Sequence, residues 1–289
     1  MHDHDAVFVH FAGWNALVPL ALARLFGKRS VLFIHGTDGV SLPEIGYGQF
    51  RKWPLSWATA FSLRMARRVV AVDGALLRSD NRYSGSRILH QGVLNHVPGL
   101  RTTCSVLPHG FDPDIWPKGH RERDIDVLTV GGGLGSERVR MVKGVDLVIA
   151  LAHARPDLRV AVVGMPVNDE QRFPSNLRVI PEVGQEELRA LYQRSKCYAQ
   201  LSRSEGFGCA LAEAMLSGCV PVVSNVGAMP KIAGDTGQVV DAPLASAVEA
   251  AARKALDMAD AGGGVRARER VMQRYPLEAR RLGLAQLLC

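Results

Sequence analysis

The sequence predicts an α/β protein of two Rossmann-like doubly wound domains that face a cleft. Short apolar, strand-like runs alternate with helix-like segments in residues 1–110, and the same alternation returns in residues 125–275. An interval rich in proline, glycine and charged residues separates the two series. Because ligands of such sheets bind outside the carboxyl ends of the strands, we expect functional side chains in the loops that follow strands.

The first domain, residues 1–110, is predicted from four apolar runs and the helical patterns between them. Its strands are predicted at 6–11, 31–35, 69–72 and 105–107, and its helices at 15–25, 56–67 and 85–96. The following interval contains three prolines within residues 108–124. We therefore predict an interdomain linker at residues 111–124.

The second domain, residues 125–275, repeats the alternation over a longer stretch. Its strands are predicted at 125–130, 158–163, 177–180, 196–201, 220–224 and 238–240, and its helices at 145–154, 186–194, 209–217, 244–259 and 265–275. The amphipathic segment 276–289 is expected to form a last helix that packs back across the domain boundary.

Composition sets the broad class of the protein. The 289 residues are 47% apolar and 22% charged, which is the balance of a globular protein. No run is apolar over the roughly 18 residues that a membrane span requires, and no secretory cleavage pattern follows the acidic first residues. The five cysteines include no CxxC pair, which favours reduced thiols and a cytoplasmic location.

The positive charge is concentrated in the first domain. Residues 1–110 hold twelve Lys or Arg and six Asp or Glu, or +6 of the net +7. This surface is either an ordinary solvated one or one that faces an anionic acceptor or a membrane, at its inner, cytoplasmic face. In residues 47–68, aromatic and basic side chains alternate at helical spacing. Core packing is the default interpretation, and a membrane-interfacial helix is the sharper one. Nucleic-acid binding is not expected, because no basic stripe recurs elsewhere.

The segment 202–221 is the strongest candidate site. There a glycine-bearing turn joins a buried strand to a helix, and Gly206 and Gly208 allow that turn to approach a ligand closely. The free N–H groups at the helix start, including those of Gly208 and Cys209, favour an anion.

Two carboxylates, Glu205 and Glu213, flank that helix start. A ligand with phosphate at one end and hydroxyls at the other, such as a nucleotide sugar, would fit this pattern. Alternatively, they are a solvated turn residue and a helix-surface residue, although the apolar neighbours of Glu213 argue against this. In a further alternative, the two carboxylates are the acid and the nucleophile of a glycosidase. This alternative leaves the anion-binding groups at the helix start unexplained.

A second glycine-rich turn, residues 131–135, opens the second domain directly after a strand. Gly132 and Gly133 permit close backbone approach. Three cations that can neutralise a diphosphate follow: Arg138, Arg140 and Lys143. The dinucleotide-binding fingerprint fits poorly, since Ser136 stands where a third glycine is expected, and no Walker-type GKS/T follows.

His35 ends a strand in the sequence VLFIHGTDG. A histidine in this position is usually structural, but its place at a strand end makes it the best candidate to meet a substrate from the opposite wall. The other histidines show no metal-ligand spacing, so no metal is expected.

These motifs resemble the retaining glycosyltransferases of family 4, which have the GT-B architecture. The family's E-x7-E motif matches Glu205 to Glu213 in EGFGCALAEAM, and VLPHGFDPDIW is similar to its interdomain segment, with His109 where asparagine is more usual. Lys143 matches the diphosphate-binding lysine, and IHGTD matches the first-domain motif that contains His35. The resemblance covers nearly the whole chain and implies a shortened N-terminal domain.

The resemblance implies a role for each candidate residue. Glu213 would hold the ribose hydroxyls, and Glu205 would contact the sugar together with the backbone of Phe207 and Gly208. Lys143 would stabilise the leaving diphosphate, with Arg138 or Arg140 as its partner. His35 would lie near the transferred sugar, and no metal or other cofactor is implied.

The sequence thus predicts transfer of a sugar from a nucleotide-diphosphate sugar to an acceptor with retention of configuration. The acceptor is a glycan, a lipid-linked molecule or a small molecule. One alternative is a non-catalytic nucleotide-sugar-binding subunit that lacks a complete acceptor domain. A glycan phosphorylase or hydrolase on the same scaffold is the other.

Overall fold

The computed structural model describes residues 5–83, 87–119, 122–166 and 173–288. It contains two parallel β-sheets, one in each half of the chain, and so confirms the predicted fold class. Within these ranges, no helix combines the length and the apolar character that crossing a lipid bilayer would require.

Among its described residues, the N-terminal domain contains six strands and three α-helices. The strands are β1 (Ala6–His10), β2 (Arg29–Ile34), β3 (Arg68–Ala71), β4 (Ser79–Asn81), β5 (Leu89–Gln91) and β6 (Thr103–Val106), and the helices are α1 (Trp14–Leu25), α2 (Leu55–Met65) and α3 (Val93–His96). Four of the strands form a parallel sheet in the order β1-β2-β3-β6. The other two, β4 and β5, form a separate antiparallel hairpin.

The two faces of this sheet are covered differently. Alternate residues of β2, Leu32 and Ile34, belong to the main core together with Leu20 of α1 and Leu63 of α2. Val31 and Phe33 point to the opposite face, where leucines from the end of the chain pack on them. Both faces of β2 are therefore buried, as is usual for an inner strand of a parallel sheet.

In the part that the structure describes, the C-terminal domain contains six strands and eight α-helices. The strands are β7 (Ile125–Val130), β8 (Val160–Val163), β9 (Leu177–Ile180), β10 (Ser195–Gln200), β11 (Val220–Ser224) and β12 (Gln238–Val240). The helices are α4 (Glu137–Lys143), α5 (Val145–Ala154), α6 (Gln185–Gln193), α7 (Cys209–Leu216), α8 (Met229–Ala233), α9 (Ala245–Asp260), α10 (Gly264–Arg274) and α11 (Leu277–Gln286).

All six strands of the second sheet are parallel, in the order β12-β11-β10-β7-β8-β9. The first strand of the domain, β7, therefore lies in the middle, and the chain winds outwards from it in both directions. Strand order reverses between β7 and β10. In open α/β sheets, ligands bind in the crevice that forms at the carboxyl ends of the strands at such a switch point.

The structure corrects one predicted element and adds two helices that the sequence did not predict. The helix predicted at 85–96 is wrong: residues 89–91 form a strand, and the helix there is confined to Val93–His96. Gly92 separates the two with a φ of 97°, which interrupts a continuous helix. The sequence also missed α4 and α8, which are short helices. In α4, only three of the seven residues are apolar, too few for a helical period to stand out.

Several contacts join the domains. Phe111 pairs with Pro276 in an isolated parallel bridge. Helix α11 places Leu284 and Leu287 against the N-terminal sheet. On the opposite side, Lys231 donates to both carboxylate oxygens of Asp73 at 3.0 Å.

Candidate functional site

The two glycine-bearing loops predicted from the sequence meet at the switch point of the C-terminal sheet. The loop 131–135 follows β7, and the loop 201–208 follows β10, and these strands are neighbours. Gly132 and Gly133 lie at the exposed tip of the first loop, and Gly133 has a φ of 70°. Both loops therefore border one crevice, where a ligand would meet them together.

The loop 201–208 also touches the N-terminal domain. A Cβ atom added at Gly206 would overlap the carbonyl oxygen of His35, so only glycine fits there. Gly208 then takes a φ of 106° and a ψ of 57°, and helix α7 begins at the next residue, the exposed Cys209. Phe207 anchors the turn between them, because its buried ring packs edge-on against His109 at 5.3 Å. The first N–H groups of α7 are held close to the domain boundary in this way.

Glu205 is the most heavily bonded carboxylate of this crevice. Its Oε2 accepts hydrogen bonds from Lys143 Nζ at 3.0 Å and from Gln200 Nε2 at 2.8 Å, and Ser202 Oγ lies at 3.4 Å. The Glu205 carboxylate raises the pKa of Lys143, against the opposing effect of burial. The Lys143–Glu205 ion pair lies close to the start of α7.

Local backbone geometry holds Lys143 in place. It is the last residue of α4, and Gly144 ends that helix with a φ of 70°. A Cβ atom at Gly144 would overlap the carbonyl oxygen of Leu201, so the end of α4 lies directly against the loop that contains Glu205. The Lys143–Glu205 ion pair thus joins the ends of two loops that are 62 residues apart in sequence.

Glu213 lies one turn into α7, among apolar residues. Burial raises the pKa of this carboxyl to about 7, and the interaction with Tyr192 opposes the rise. Glu213 can accept hydrogen bonds from a ligand's hydroxyls, and such donors would favour its ionised form.

The two candidate arginines differ in their contacts. Arg140 donates to the carbonyl oxygens of Leu134 at 3.0 Å and Gly135 at 3.4 Å, and so braces the glycine-rich loop. Arg138 is exposed and lies over Gly46 of the N-terminal domain. Of the two, Arg138 is the guanidinium that is not already engaged with the loop.

His35 lies at the carboxyl end of β2 within a stack of aromatic rings. Its Nε2 is 2.9 Å from Nδ1 of His10, and its ring is 5.7 Å from that of His109. The pKa values of His35 and His109 are both lowered to about 4, mainly by burial and further by neighbouring positive groups. The imidazoles are therefore neutral at physiological pH and can act as hydrogen-bond donors and acceptors.

Sequence reasoning missed three residues of this region. Asp38 is buried and accepts hydrogen bonds from the N–H groups of Ala12, His35 and Gly36, which fixes the loop after β2. Arg280 of α11 lies over the Phe33 ring at 5.4 Å and interacts with both His35 and His109. Tyr47 is a half-buried neighbour of the Lys143–Glu205 pair. Asp38 could have been found, because it lies three residues after His35; Arg280 and Tyr47 carry no such signal.

An interdomain cavity of about 120 Å³ adjoins Glu205 from the other side. Its walls include Leu76 and Asn81 of the N-terminal domain and the loop 225–227. Lys143 and Glu213 do not line it. The predicted donor crevice is therefore a separate feature.

Metal ligands were also sought in the described ranges. Within them, His, Cys, Asp and Glu side chains form no group of three or more that could hold a metal ion.

Comparison with known proteins gives three kinds of match. The family model described as glycosyl transferases group 1 matches residues 114–271. Glycogen synthase of Mycobacterium tuberculosis is 28% identical over 276 residues, which are 89% of this chain and 60% of that protein. GDP-mannose:cellobiosyl-diphosphopolyprenol alpha-mannosyltransferase of Xanthomonas oryzae is 36% identical over 84 residues, 29% of this chain and 20% of that protein. The chain thus spans well under two thirds of both relatives.

Two solved structures show the same fold at low sequence identity. Sucrose-phosphate synthase from Thermosynechococcus elongatus matches with a TM-score of 0.75 and 17% identity, over 98% of this chain and 73% of that one. Anabaena HepE in complex with UDP and glucose matches with a TM-score of 0.75 and 16% identity, over 99% of this chain and 78% of that one.

Proposed function

Because the chain belongs to the glycosyl transferases group 1 family, we propose that it transfers a sugar from a nucleotide-diphosphate sugar to an acceptor. We place it among the retaining, family 4 enzymes. One observation supports the proposal: Lys143 pairs with Glu205 close to the start of α7, and Glu213 lies one turn further along that helix, at the switch point of the C-terminal sheet. Cationic, amide and carboxylate groups in this order would suit a nucleotide sugar.

In this proposal, the diphosphate binds at the start of α7. Backbone N–H groups at Gly208 and Cys209 point out of the helix end, where partial positive charge favours an anion. Lys143 would provide a full positive charge beside them, and the exposed Arg138, in the first turn of α4, would provide a second. Since Lys143 contacts Glu205 in the free protein, diphosphate oxygens would share or replace that contact.

Glu213 would hold the nucleoside. It lies four residues beyond Cys209, about 6 Å along the helix axis from it, at 1.5 Å per residue. Two ribose hydroxyls could donate to its carboxylate, which forms no salt bridge with any residue that the structure describes. The ionised carboxylate gains these bonds only when nucleotide is bound.

Catalysis in this crevice would be electrostatic. Breaking the bond between the sugar and the diphosphate leaves the electron pair on the phosphate oxygen, while the sugar becomes oxocarbenium-like. Lys143, Arg138 and the N–H groups of α7 would stabilise the negative charge that grows on the diphosphate, which lowers the barrier. These protein groups supply the charge stabilisation, so we propose a reaction that needs no metal ion.

The N-terminal domain would contribute to the sugar site from the opposite wall. The loop after β2 reaches Gly206, so His35 lies next to the loop that contains Glu205. A neutral imidazole can hydrogen-bond a sugar hydroxyl without repelling the developing positive charge of the sugar. The acceptor would approach from this domain.

The proposal is tested with a panel of UDP-, GDP-, ADP- and dTDP-sugars. Selective stabilisation of the folded protein by one donor, with release of the nucleoside diphosphate and a product of unchanged anomeric configuration, would support it. Binding without turnover in the presence of candidate acceptors would favour a non-catalytic subunit. Activity that depends on free phosphate would favour a phosphorylase. No binding of any donor would contradict the proposal.

A further inference from the structure

The outward faces of α1, of α2 and of the segment just before α2 carry large apolar side chains that are exposed to water. We call this surface the α1–α2 face; its apolar members are Trp14, Val18, Leu22, Leu25, Trp53, Trp57 and Phe61. Several are more exposed than buried: Trp53 at 78%, Leu25 at 76% and Val18 at 67%. For the aromatic residues of 47–68, core packing is the default interpretation of the sequence. It is wrong for Trp53, Trp57 and Phe61.

The face is continuous. The Trp14 and Trp57 rings meet at 5.9 Å across the two helices, and Trp57 stacks on Phe61 at 5.2 Å. On α1, the residues at 14, 18, 22 and 25 recur at the spacing of one helical face. The opposite side of α1 is buried in the domain core, so this helix is apolar on both sides. Helices with that pattern normally have a partner on each side.

The charge around the face has one sign. Residues 14–37 and 45–72 hold eight Lys or Arg and no Asp or Glu. Among the residues that the structure describes, no acidic side chain pairs with Arg24, Arg64 or Arg67. At the carboxyl ends of α1 and α2, a pocket of about 400 Å³ has Arg24, Lys28 and Arg67 in its wall.

We propose that the α1–α2 face docks onto a lipid bilayer that contains anionic lipids. Tryptophans and aliphatic side chains would enter the boundary between head groups and acyl chains, where aromatic rings are favoured. The surrounding cations would bind the negative surface, and the basic pocket has room for a phosphate-bearing head group. This surface is separate from the donor crevice, so the proposal does not depend on the proposed function.

Charge complementarity selects the bilayer over a second copy of the chain. Two such faces placed together would bring like charges together, because residues 14–37 and 45–72 contain lysine and arginine but no Asp or Glu. Like charges across an interface disfavour association. An anionic membrane gains from the same charges, and its attraction should weaken with added salt.

Intrinsic fluorescence gives a direct test, because three of the four tryptophans belong to this face and the fourth, Trp116, is buried at 6% exposure. Phosphatidylcholine vesicles that contain phosphatidylglycerol should shift the emission to shorter wavelength and protect it from aqueous quenchers. Vesicles of phosphatidylcholine alone should do so much less, and salt should reverse the effect.

Variants of the full chain show which residues are responsible. Val18→Glu with Leu25→Glu should lower partitioning onto the anionic vesicles by about tenfold or more, since both side chains are largely exposed in the free protein. Arg24→Gln and Arg67→Gln should each lower it by about fivefold. Leu244→Glu, at 59% exposure in the C-terminal domain, is the matched control and should bind as the wild type does.

Two results would overturn the proposal. One is partitioning that is absent or is unchanged in the Val18→Glu, Leu25→Glu variant. The other is a concentration-dependent dimer, seen by light scattering without lipid, that the same variant dissociates; this result would assign the face to a second copy.

Discussion

At the residue scale, the two carboxylates of the crevice differ in their partners. Glu205 has a lysine and two polar side chains around one oxygen. Glu213 interacts with Tyr192, and burial raises its pKa to about 7. Glu213 therefore becomes a better acceptor when a ligand brings hydrogen-bond donors to it.

Glu213 should make donor binding depend on pH. Its folded-state pKa of about 7 lies above the ordinary 4.5, so the free protein holds this proton until the pH rises through about 7. Ribose hydroxyls need the ionised form, so affinity for the preferred nucleotide sugar should rise from about pH 6 to about pH 8. A nucleotide sugar is the suitable probe, because its diphosphate has no group that titrates there. Calorimetry at several pH values measures this.

The control is Glu213→Gln, which should bind more weakly and with little pH dependence. In the wild type, the neutral Glu213 carboxyl contributes fully to folding stability below about pH 4.5, and this contribution is lost as the pH rises through about 7. The Glu213→Gln protein should not show this loss of folding stability. Unchanged affinity in this variant would refute the ribose assignment.

Lys143 should matter more for turnover than for binding. Its charge acts where negative charge develops, so we expect Lys143→Ala to lower kcat by about 10² to 10³ and to change KM by less than tenfold. Lys196→Ala is the matched control: Lys196 is also ion-paired but lies at the other end of β10, and its loss should leave kcat within about twofold. An equal effect of Lys143→Ala on kcat and on donor affinity would indicate simple binding.

The sequence identified Glu205 and Lys143 as separate candidates but did not show that they pair. The contact depends on how α4 ends against Leu201, which local periodicity does not encode. Arg280 and Tyr47 were missed for the same reason: each reaches the region from an element whose own sequence has no functional pattern.

At the element scale, the site depends on how closely two loops approach. Gly206 lies on the carbonyl of His35, so the loop after β10 and the loop after β2 have fixed positions relative to each other. Gly206→Ala should force them apart and lower sugar transfer at least tenfold, because small displacements of reacting groups cost large factors in rate. Steady-state kinetics and thermal unfolding measure the two consequences.

Gly132→Ala is the control for this substitution, since a Cβ atom there has no neighbour within 4 Å. We expect it to leave the unfolding temperature unchanged. A Gly206→Ala protein with wild-type kinetics would show that the two loops need not touch.

Helix α11 should stabilise the N-terminal domain from the end of the chain. Leu284 packs against Val31, Phe33 and Val70, so Leu284→Ala should lower the free energy of unfolding by about 1 to 2 kcal/mol, below the range for fully buried leucines. Leu282→Ala, at an exposed position of the same helix, should change it by less than about 0.5 kcal/mol. Denaturant titration compares them, and equal effects would contradict the packing role.

The strands were predictable because buried parallel strands are continuous apolar runs, and β7, β9, β11 and β12 have the predicted bounds. The helix predicted at 85–96 failed because hairpin pairing between β4 and β5 outweighed a weak helical pattern. The backbone conformation at Gly92 depends on its contact with the backbone of Leu77, which the local sequence pattern does not encode.

At the scale of the whole molecule, the sequence predicted two domains but not how they meet. The Asp73–Lys231 ion pair and the bond from Asn81 to the carbonyl of Arg203 hold the two halves together on one side of the cleft. On the other side, α11 crosses between them. The candidate crevice lies between these contacts, so its groups come from both domains.

The most direct test of this account is a crystal structure of the protein with its preferred nucleotide sugar. We predict diphosphate oxygens within hydrogen-bond distance of Lys143 and of the backbone N–H groups at Gly208 and Cys209, with the ribose hydroxyls on the Glu213 carboxylate. A nucleotide bound elsewhere, or a Glu213 side chain turned away from the ribose, would contradict it.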